Sequence, residues 1–155
     1  MQISKGKIEQ RMENFMDLCR NAGVKLTHQR MEIYREVAQT GDHPDAETVF
    51  QGVREQIPTV SLDTVYRTLW LLSNLNLINI MGPLRERTRF DANLSRHHHF
   101  VCIRCGLTRD FYSPELDVLQ ISKSVKSFGH VETAQIEVRG VCLACANNKT
   151  PIPEA

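Results

Sequence analysis

The sequence predicts an α+β fold in two parts, with residues 1–84 mainly helical and residues 85–155 richer in strands. Two observations support this division. Apolar residues recur at helical spacing through the first part, whereas short runs of strand character surround two Cys-x-x-Cys motifs in the second. With 155 residues, of which 41% are hydrophobic, the chain is long enough for one ordinary domain or two small ones.

Composition excludes several classes of protein. The formal net charge is +1 and 24% of the residues are charged, which fits neither an acidic tail protein nor a uniformly basic nucleic-acid-binding protein. No apolar run approaches the roughly 18 residues of a membrane span, and the N-terminus lacks the apolar region of a signal peptide. The sequence therefore predicts a cytoplasmic protein.

Four helices are predicted before residue 76. Each has apolar residues at helical spacing, and residues that suit helix caps or stops stand at the boundaries. The predicted helices are one that stops at Gly23, a second from the cap Thr27 to near Gly41, a third over residues 45–56 after Pro44, and a fourth over residues 62–75 capped by Ser61.

The last two helices are joined by the short segment 57–61, which suits a helix-turn-helix. Residues 79–81 and 88–90 have strand character, and Gly82-Pro83 interrupts the pattern between them. A hairpin at this place is typical of the winged variant of the motif. The first part is therefore predicted to be a winged helix-turn-helix domain.

In the second part, residues 99–103 and 135–139 have strand character. A helix is predicted between them, over residues 115–128. Residues 147–155 include two prolines and are predicted to form a loose C-terminal tail.

Four of the five cysteines form a Cys-x-x-Cys pair near each end of the second part. Cys102, Cys105, Cys142 and Cys145 offer four thiolates, which can converge on one tetrahedral ion of the zinc type in a closed, structural site. Two separate redox pairs or unreactive thiols are the alternative. The fifth, Cys19, stands alone on a predicted helix and is interpreted as a small buried hydrophobic residue.

A second group of metal-ligating residues flanks the first Cys-x-x-Cys motif. Strand alternation puts His97 and His99 on one face and His98 on the other. With Asp91 and Asp110, the two imidazoles make a mixed nitrogen and oxygen set that suits Fe²⁺ or Mn²⁺ in an open or exchangeable site. A solvated histidine run is the alternative. His43 alone would be interpreted as a surface loop residue.

Several motifs together resemble the ferric uptake regulator family, over roughly residues 10 to 146. They are Leu26-Thr27-His28-Gln29-Arg30, Asp42-His43-Pro44-Asp45-Ala46, Val60-Ser61-Leu62-Asp63-Thr64-Val65-Tyr66-Arg67-Thr68-Leu69 and the run from Arg89 to Asp110. The resemblance implies a metal-dependent transcriptional repressor rather than an enzyme. It also implies a homodimer in which a small α/β dimerisation domain follows the winged helix, and a double-stranded DNA operator with an inverted repeat.

The resemblance also implies roles for individual residues. Cys102, Cys105, Cys142 and Cys145 match the family's structural zinc site. The regulatory iron or manganese site is matched by His43, Asp91, His97, His99 and Asp110, so that His43 would link the DNA-binding half to the other half. A further ion site of many members uses a histidine at the position of Ala134, and no such site is expected.

Aspartate at both position 91 and position 110 is similar to the peroxide-responsive branch of the family. In that branch iron and hydrogen peroxide oxidise the ligands that match His97 and His99, whereas manganese supports repression without this chemistry. The resemblance therefore implies a peroxide sensor. The alternative is an iron, manganese or zinc uptake regulator of the same family that does not sense peroxide.

DNA contact must be local, because residues 1–84 carry nine Lys and Arg against ten Asp and Glu. The fourth helix is expected to enter the major groove. The expected contacts are Lys25, Arg30, Ser61, Thr64, Tyr66 and Arg67. Two alternatives are open: Arg67 could instead pair with Asp63 one helical turn earlier, and Tyr66 could belong to the core.

An enzyme is the remaining class to consider. His130-Val131-Glu132 before Cys142-x-x-Cys145 has some likeness to the zinc deaminase pattern, but Val141 replaces its proline and the other Cys-x-x-Cys motif competes for the metal. An iron oxygenase based on His97 and His99 would need a substrate pocket, which the sequence does not indicate. We therefore expect no enzymatic turnover.

Overall fold

A computed structural model describes residues 3–82 and 88–148 and has the α+β architecture expected. The chain divides into two compact units, one that ends at Leu94 and one that begins at Ser95. The sequence placed this boundary after residue 84. The difference arises because the second strand of the wing pairs with the first and so belongs to the first unit.

In its described residues, 3–82 and 88–94, the first unit contains four helices, as predicted. They are α1 (Lys5–Asn21), α2 (His28–Ala38), α3 (Ala46–Gln56) and α4 (Leu62–Asn74). The side chains of Thr27, Asp45 and Ser61 accept hydrogen bonds from backbone N–H groups in the first turns of α2, α3 and α4. These bonds satisfy donors that have no partner within a helix, which explains why the helices begin there.

The four helices enclose one apolar core. Phe15 of α1 stacks on Tyr34 of α2 with ring centroids 4.4 Å apart, and both side chains are buried. Val49 of α3 and Leu69 of α4 are also fully buried. Cys19 has no exposed surface, which confirms its interpretation as a core residue, and burial raises the pKa of its thiol.

The predicted wing is present. Strands β1 (Asn79–Met81) and β2 (Arg89–Asp91) pair antiparallel, with Ile80 opposite Phe90. Gly82 follows β1 with a φ of 82°, a left-handed conformation that favours glycine, whereas Pro83 lies outside the described residues.

The second unit is built on a three-stranded sheet of β3 (His98–Cys102), β4 (Thr108–Phe111) and β5 (Glu137–Gly140), in the order β4-β3-β5. The central strand β3 runs antiparallel to β4 and parallel to β5. Two of the strands were predicted with boundaries shifted by one or two residues. The strand β4 was not predicted, although it carries one of the candidate metal ligands.

The helix predicted over residues 115–128 is wrong. The segment forms two single-turn helices, α5 (Pro114–Asp117) and α6 (Lys123–Lys126). The side chain of Ser122 accepts the backbone N–H of Ser124, and the hydroxyl of Ser127 donates to the carbonyl of Ser124. Such side-chain bonds compete with a continuous helical ladder.

A last helix, α7 (Leu143–Asn147), begins within the second Cys-x-x-Cys motif. The predicted loose tail lies, from residue 149 onward, outside the described residues. Among residues 3–82 and 88–148, none of the helices has the length and apolar character needed to cross a membrane.

Candidate metal centres and DNA-facing surface

The four cysteines of the second unit converge on one point. Their sulfur atoms all lie within 4.8 Å of one another, and the sulfurs of Cys105 and Cys142 are 3.7 Å apart. Four sulfurs about 2.3 Å from a tetrahedral zinc ion are separated by about 3.8 Å. The cysteines are not joined in disulfides. The donor set and its spacing therefore fit a tetrahedral thiolate site, as predicted from the sequence.

The thiols of this cluster differ in acidity. Backbone N–H groups of Cys142 and Cys105 lower the pKa of Cys102 to about 6. Hydrogen bonds with the thiols of Cys105 and Cys142 raise the pKa of Cys145 to about 12. The backbone thus stabilises one thiolate, whereas a neighbouring thiol resists ionisation. A complete set of four thiolates at this spacing needs a bound cation.

Arg104 connects the two Cys-x-x-Cys motifs. Its guanidinium Nη1 donates a hydrogen bond of 2.9 Å to the carbonyl oxygen of Cys145, 41 residues away. Its backbone N–H is among the donors that lower the pKa of Cys102. One residue of the first motif therefore fixes the backbone of the second, and it places a positive charge beside a cluster that is anionic when ionised.

Three of the five predicted regulatory ligands lie together in the second unit. The Nε2 atoms of His97 and His99 are 2.9 Å apart, and they lie 3.7 and 3.6 Å from Oδ1 of Asp110. Both histidines are buried. Two ligands at right angles and about 2.1 Å from one ion are about 3.0 Å apart, so the imidazole pair suits neighbouring positions on a metal ion.

The sheet and a backbone carbonyl orient these ligands. Asp110 of β4 is the cross-strand partner of His99 on β3. The carbonyl oxygen of Ser95 lies 2.6 Å from Nδ1 of His97. Because a carbonyl only accepts, Nδ1 carries the proton and Nε2 keeps its lone pair, which is the form that binds a metal.

The remaining two predicted ligands lie together in the first unit. His43 Nε2 is 3.8 Å from Oδ1 of Asp91, and both side chains are buried. The backbone N–H of Phe90 donates to the carbonyl of Pro44, which ties the loop of His43 to the strand of Asp91. The simple interpretation of His43 as a surface loop residue is therefore wrong.

His43 has a backbone conformation that is uncommon for its residue type. Its φ is 52°, in the left-handed region, where a residue other than glycine costs on the order of 1–3 kcal/mol. Such conformations persist where surrounding structure holds them, and they cluster at functional sites.

His98 lies apart from these ligands, as strand alternation predicts. Its Nδ1 accepts the backbone N–H of Ile136 at 3.3 Å, and its Nε2 faces Oδ1 of Asp117 at 3.3 Å. The same carboxylate oxygen is 3.0 Å from the guanidinium of Arg96. His98 therefore belongs to the opposite side of β3 and binds the segment between β4 and β5.

A polar groove lies between the start of α2 and the outer face of α4 in the first unit. Its volume is about 270 Å³ and its lining residues are Thr27, Gln29, Arg30, Thr64, Arg67, Thr68 and Leu71. Three of the six predicted DNA contacts, Arg30, Thr64 and Arg67, therefore share one groove. Lys25 is exposed beside it, and its carbonyl accepts a hydrogen bond of 2.6 Å from Arg30.

Two alternatives for α4 have clear outcomes. Tyr66 is 41% exposed, so its assignment to the core is wrong. Arg67 pairs with Asp63 at 3.5 Å, as the alternative proposed, but both side chains are largely exposed. Such a pair contributes little to stability and leaves the guanidinium accessible to another anion. Ser61 is likewise exposed beside Thr64, whose backbone N–H it accepts.

Sequence reasoning missed three residues near the candidate metal ligands. Two of them act through hydrogen bonds to backbone carbonyl groups: Ser95 accepts at its own carbonyl, and Arg104 donates to that of Cys145. Residue type alone does not predict such contacts. Tyr112, whose ring centroid is 6.2 Å from that of His97, could have been found by alternation, since it stands two residues after Asp110.

The chain is similar in sequence and fold to known proteins. The model of the ferric uptake regulator family matches residues 21–139. The peroxide-responsive repressor PerR of Staphylococcus epidermidis is 32% identical over 139 residues, which cover 89% of this chain and 92% of that protein.

Two solved structures extend the comparison to the fold. The ferric uptake regulator of Helicobacter pylori, described as having three functional metal-binding sites, gives a TM-score of 0.73 at 22% identity, over 97% of this chain and 99% of that one. The ferric uptake regulator of Francisella tularensis, solved with iron, gives 0.65 at 28% identity, over 80% and 96%. These matches span most of the sequence and both units, and the chain therefore belongs to the ferric uptake regulator family, whose members are metal-responsive transcription regulators.

Proposed function

We propose that this protein is a DNA-binding repressor that senses hydrogen peroxide through oxidation of His97 or His99, with Fe²⁺ or Mn²⁺ as its exchangeable ion. The observation that carries the proposal is the buried imidazole pair, whose Nε2 atoms are 2.9 Å apart beside Asp110. Likeness to a peroxide-responsive repressor at 32% identity supports the same conclusion.

The proposed regulatory site draws ligands from both units. As the resemblance to the family implies, His97, His99 and Asp110 would supply three donors, and His43 and Asp91 would supply two more. An ion of the Fe²⁺ or Mn²⁺ type prefers about six ligands of mixed nitrogen and oxygen character, so neither group alone completes its coordination. Five protein ligands leave one position for water or peroxide. Binding would then couple the orientation of the DNA-binding unit to the occupancy of the ion.

Oxidation of a histidine by hydrogen peroxide needs a reducing metal ion close to the imidazole ring. An Fe²⁺ ion held by His97, His99 and Asp110 would lend one electron to break the O–O bond of hydrogen peroxide and would recover it from the oxidised ring, so that iron is not consumed. His97 and His99 hold their rings beside the ion because the sheet and the Ser95 carbonyl fix them. In the net reaction one ring C–H becomes a carbonyl with transfer of its proton to nitrogen, the ring loses two electrons, and the second peroxide oxygen leaves as water.

Oxidation of one histidine ligand would cause the protein to release DNA. An oxidised imidazole has a weaker nitrogen donor, so the ion would dissociate and the two units would no longer be held together through it. Mn²⁺ in the same site would support DNA binding without this oxidation. Each protein molecule would react once with the peroxide that it senses and would be inactivated by it, so no substrate is turned over.

We propose that Cys102, Cys105, Cys142 and Cys145 hold a structural zinc ion. The zinc ion would join the end of β3 to the start of α7. These segments are far apart in the sequence of a unit that is built on a small, three-stranded sheet. A small domain of this kind gains much of its stability from a closed metal site.

We propose that two copies of the chain associate through the second unit. Its exposed apolar side chains include Val118, Phe128 and Leu143, of which Phe128 is 86% exposed. An apolar surface of this kind is typical of a protein interface. The resulting dimer would present two winged-helix units to an inverted repeat in double-stranded DNA, with Lys25, Arg30, Ser61, Thr64, Tyr66 and Arg67 as contacts.

Mass analysis after peroxide treatment tests the proposal. The Fe²⁺-loaded protein is treated with a slight excess of hydrogen peroxide without air, and tryptic peptides are compared. We expect a gain of about 16 Da, one oxygen atom, on the peptide over residues 97–104, together with loss of binding to operator DNA. Protein loaded with Mn²⁺ is the control and should remain unmodified.

The same experiment distinguishes peroxide sensing from the alternative function, metal-uptake regulation. Fe²⁺-dependent DNA binding that survives peroxide, with no oxidation of residues 97–104, would contradict peroxide sensing. That result would instead support an iron, manganese or zinc uptake regulator of the same family, which fits the likeness to a ferric uptake regulator solved with iron.

A further inference from the structure

Tyr112 belongs to the same side of the sheet as the ligands of the second unit. The register of β3 and β4 pairs His99 with Asp110 and His98 with Phe111. Continued by one residue, the register sets Tyr112 opposite His97. Since side chains alternate, Tyr112 shares its face with Asp110. The ring centroids of His97 and Tyr112 are 6.2 Å apart at an interplanar angle of 53°.

We propose that Tyr112 is a second oxidation target of this site, one that takes part of the oxidising equivalents before they reach a histidine. This inference rests on the proposed peroxide chemistry. A phenol ring is rich in electrons, and the centroid of the Tyr112 ring lies 6.2 Å from that of His97, so an oxidant generated beside His97 has Tyr112 as a neighbouring target.

The product is a catechol. One aromatic C–H of Tyr112 is replaced by C–O–H, with the oxygen atom supplied by hydrogen peroxide. The ring loses two electrons to peroxide, and the other peroxide oxygen leaves as water with the hydrogen from the ring and one from peroxide. Atoms and electrons balance with hydrogen peroxide as the only oxidant.

The surroundings of Tyr112 permit this change. Its side chain is 58% exposed, so an added hydroxyl group can face solvent without displacing packed atoms. His97 and His99, in contrast, are buried. Oxidation at Tyr112 leaves all five proposed ligands chemically intact. It therefore uses up peroxide without releasing the ion, which raises the amount of peroxide needed to inactivate one repressor.

The chain contains internal controls for this proposal. Phe111 precedes Tyr112 but faces the other side of the sheet, with its ring 5.5 Å from that of His98. Tyr66 is an exposed tyrosine on α4 of the other unit. An oxidant confined to the site would modify Tyr112 and spare both. Radicals released into water would not distinguish Tyr112 from Tyr66.

The test uses the full chain loaded with Fe²⁺ and treated with hydrogen peroxide without air. Trypsin separates the three positions, because the histidines fall on residues 97–104, Tyr112 on 110–123 and Tyr66 on 55–67. We expect a gain of about 16 Da that fragmentation assigns to Tyr112, in addition to oxidation of residues 97–104. Residues 55–67 should stay unmodified, as should protein loaded with Mn²⁺.

Substitution then tests the competition. In Tyr112→Leu, histidine oxidation per equivalent of peroxide should rise by up to about twofold, the limit for two equally placed competitors. Tyr66→Leu is the control for the mass measurement alone, because Tyr66 is itself a proposed DNA contact, and it should leave the yield of oxidised histidine unchanged. DNA binding provides a second measurement: Tyr112→Leu should release operator DNA at a lower peroxide concentration than the wild-type protein does.

The outcomes separate this inference from the proposed function. Oxidised histidine with unmodified Tyr112, or an unchanged histidine yield in Tyr112→Leu, would overturn the role of Tyr112 and leave peroxide sensing intact. Equal oxidation of Tyr66 and Tyr112 would also overturn it. Oxidation confined to Tyr112 would support Tyr112 as an oxidation target and would contradict peroxide sensing by histidine. A complete lack of oxidation would overturn both the role of Tyr112 and the proposed function.

Discussion

The Nε2 atoms of His97 and His99 lie 2.9 Å apart, which is hydrogen-bonding distance and is also the separation of two neighbouring nitrogen ligands on one metal ion. One of these nitrogens must carry a proton when they form a hydrogen bond with each other. The Ser95 carbonyl already draws the proton of His97 to Nδ1. A metal ion that bound both Nε2 lone pairs would replace this hydrogen bond, and it would define the point around which the proposed oxidation takes place.

Asp110→Glu tests the geometry of the proposed oxidation. Glutamate keeps the carboxylate, so metal-dependent DNA binding should persist. The longer side chain alters the open coordination position, and histidine oxidation should fall about tenfold or more, since catalysis by proximity is sensitive to displacements of 1 Å. Mass analysis of residues 97–104 measures this, and an unchanged oxidation yield would contradict the proposed geometry.

His43→Ala tests the contribution of the first unit. Removing one imidazole should weaken Mn²⁺ binding by about tenfold or more and should abolish metal-dependent DNA binding, while zinc content stays the same. Calorimetric titration and elemental analysis provide the measurements. His130→Ala changes an exposed histidine of the other unit and serves as the control. Wild-type Mn²⁺ affinity in His43→Ala would show that His43 is not a ligand.

Arg104→Gln tests the connection between the two Cys-x-x-Cys motifs. Loss of the hydrogen bond to Cys145 and of the nearby charge should speed chelator-driven release of zinc about tenfold, the usual scale for a residue that supports a metal ligand. A colorimetric chelator follows the release. Arg139→Gln, which removes an exposed arginine paired with Glu137, should release zinc at the wild-type rate. Equal rates in both variants would exclude the role of Arg104.

Tyr34 gives the first unit a pH dependence of its own. Burial raises the pKa of its phenol to about 12 from an unfolded value of about 10. Because the folded state holds the proton more tightly, the stabilisation is complete below pH 10 and is lost as the pH rises toward 12. It amounts to roughly 2–3 kcal/mol.

Comparison with Tyr34→Phe isolates this effect. The substitution keeps the stacking on Phe15 and removes the titrating group. Chemical denaturation of both proteins should therefore give unfolding free energies that diverge between pH 10 and pH 12, with the wild type losing more. Parallel curves over this range would mean that the phenol is not held neutral by burial.

Arg67→Ala tests the DNA-facing surface of α4. Loss of a base or phosphate contact should weaken operator binding by about 1–3 kcal/mol, which is roughly 5-fold to 150-fold. Thermal stability should change little, because the pair with Asp63 is exposed. Asp63→Ala is the matched control, since it frees Arg67 and should not weaken binding. Unchanged affinity in Arg67→Ala would remove Arg67 from the interface.

The helices and the cysteine cluster could be predicted from sequence because their signals are local. Thr27, Asp45 and Ser61 mark helix starts through bonds that span three residues. The spacing of two Cys-x-x-Cys motifs likewise predicts a shared tetrahedral site. Alternation on one strand separated His98 from His97 and His99, and the structure agrees.

Other features depend on contacts that spacing does not encode. The strand β4 is short and contains Arg109 and Asp110, so it has no apolar alternation. It forms because β3 supplies a partner ladder. A helix was predicted over residues 115–128, yet hydroxyl bonds within the serine-rich segment 122–127 compete with a continuous helix. The role of His43 was implied only by resemblance, since its neighbour Asp91 is distant in sequence.

The most direct test is a crystal of the full chain grown with manganese, with the ion located by its anomalous scattering. We predict one manganese per chain, bound by His43 and Asp91 of the first unit and by His97, His99 and Asp110 of the second. Manganese bound by the second unit alone, with His43 distant from the ion, would contradict the claim that one exchangeable cation joins the two units.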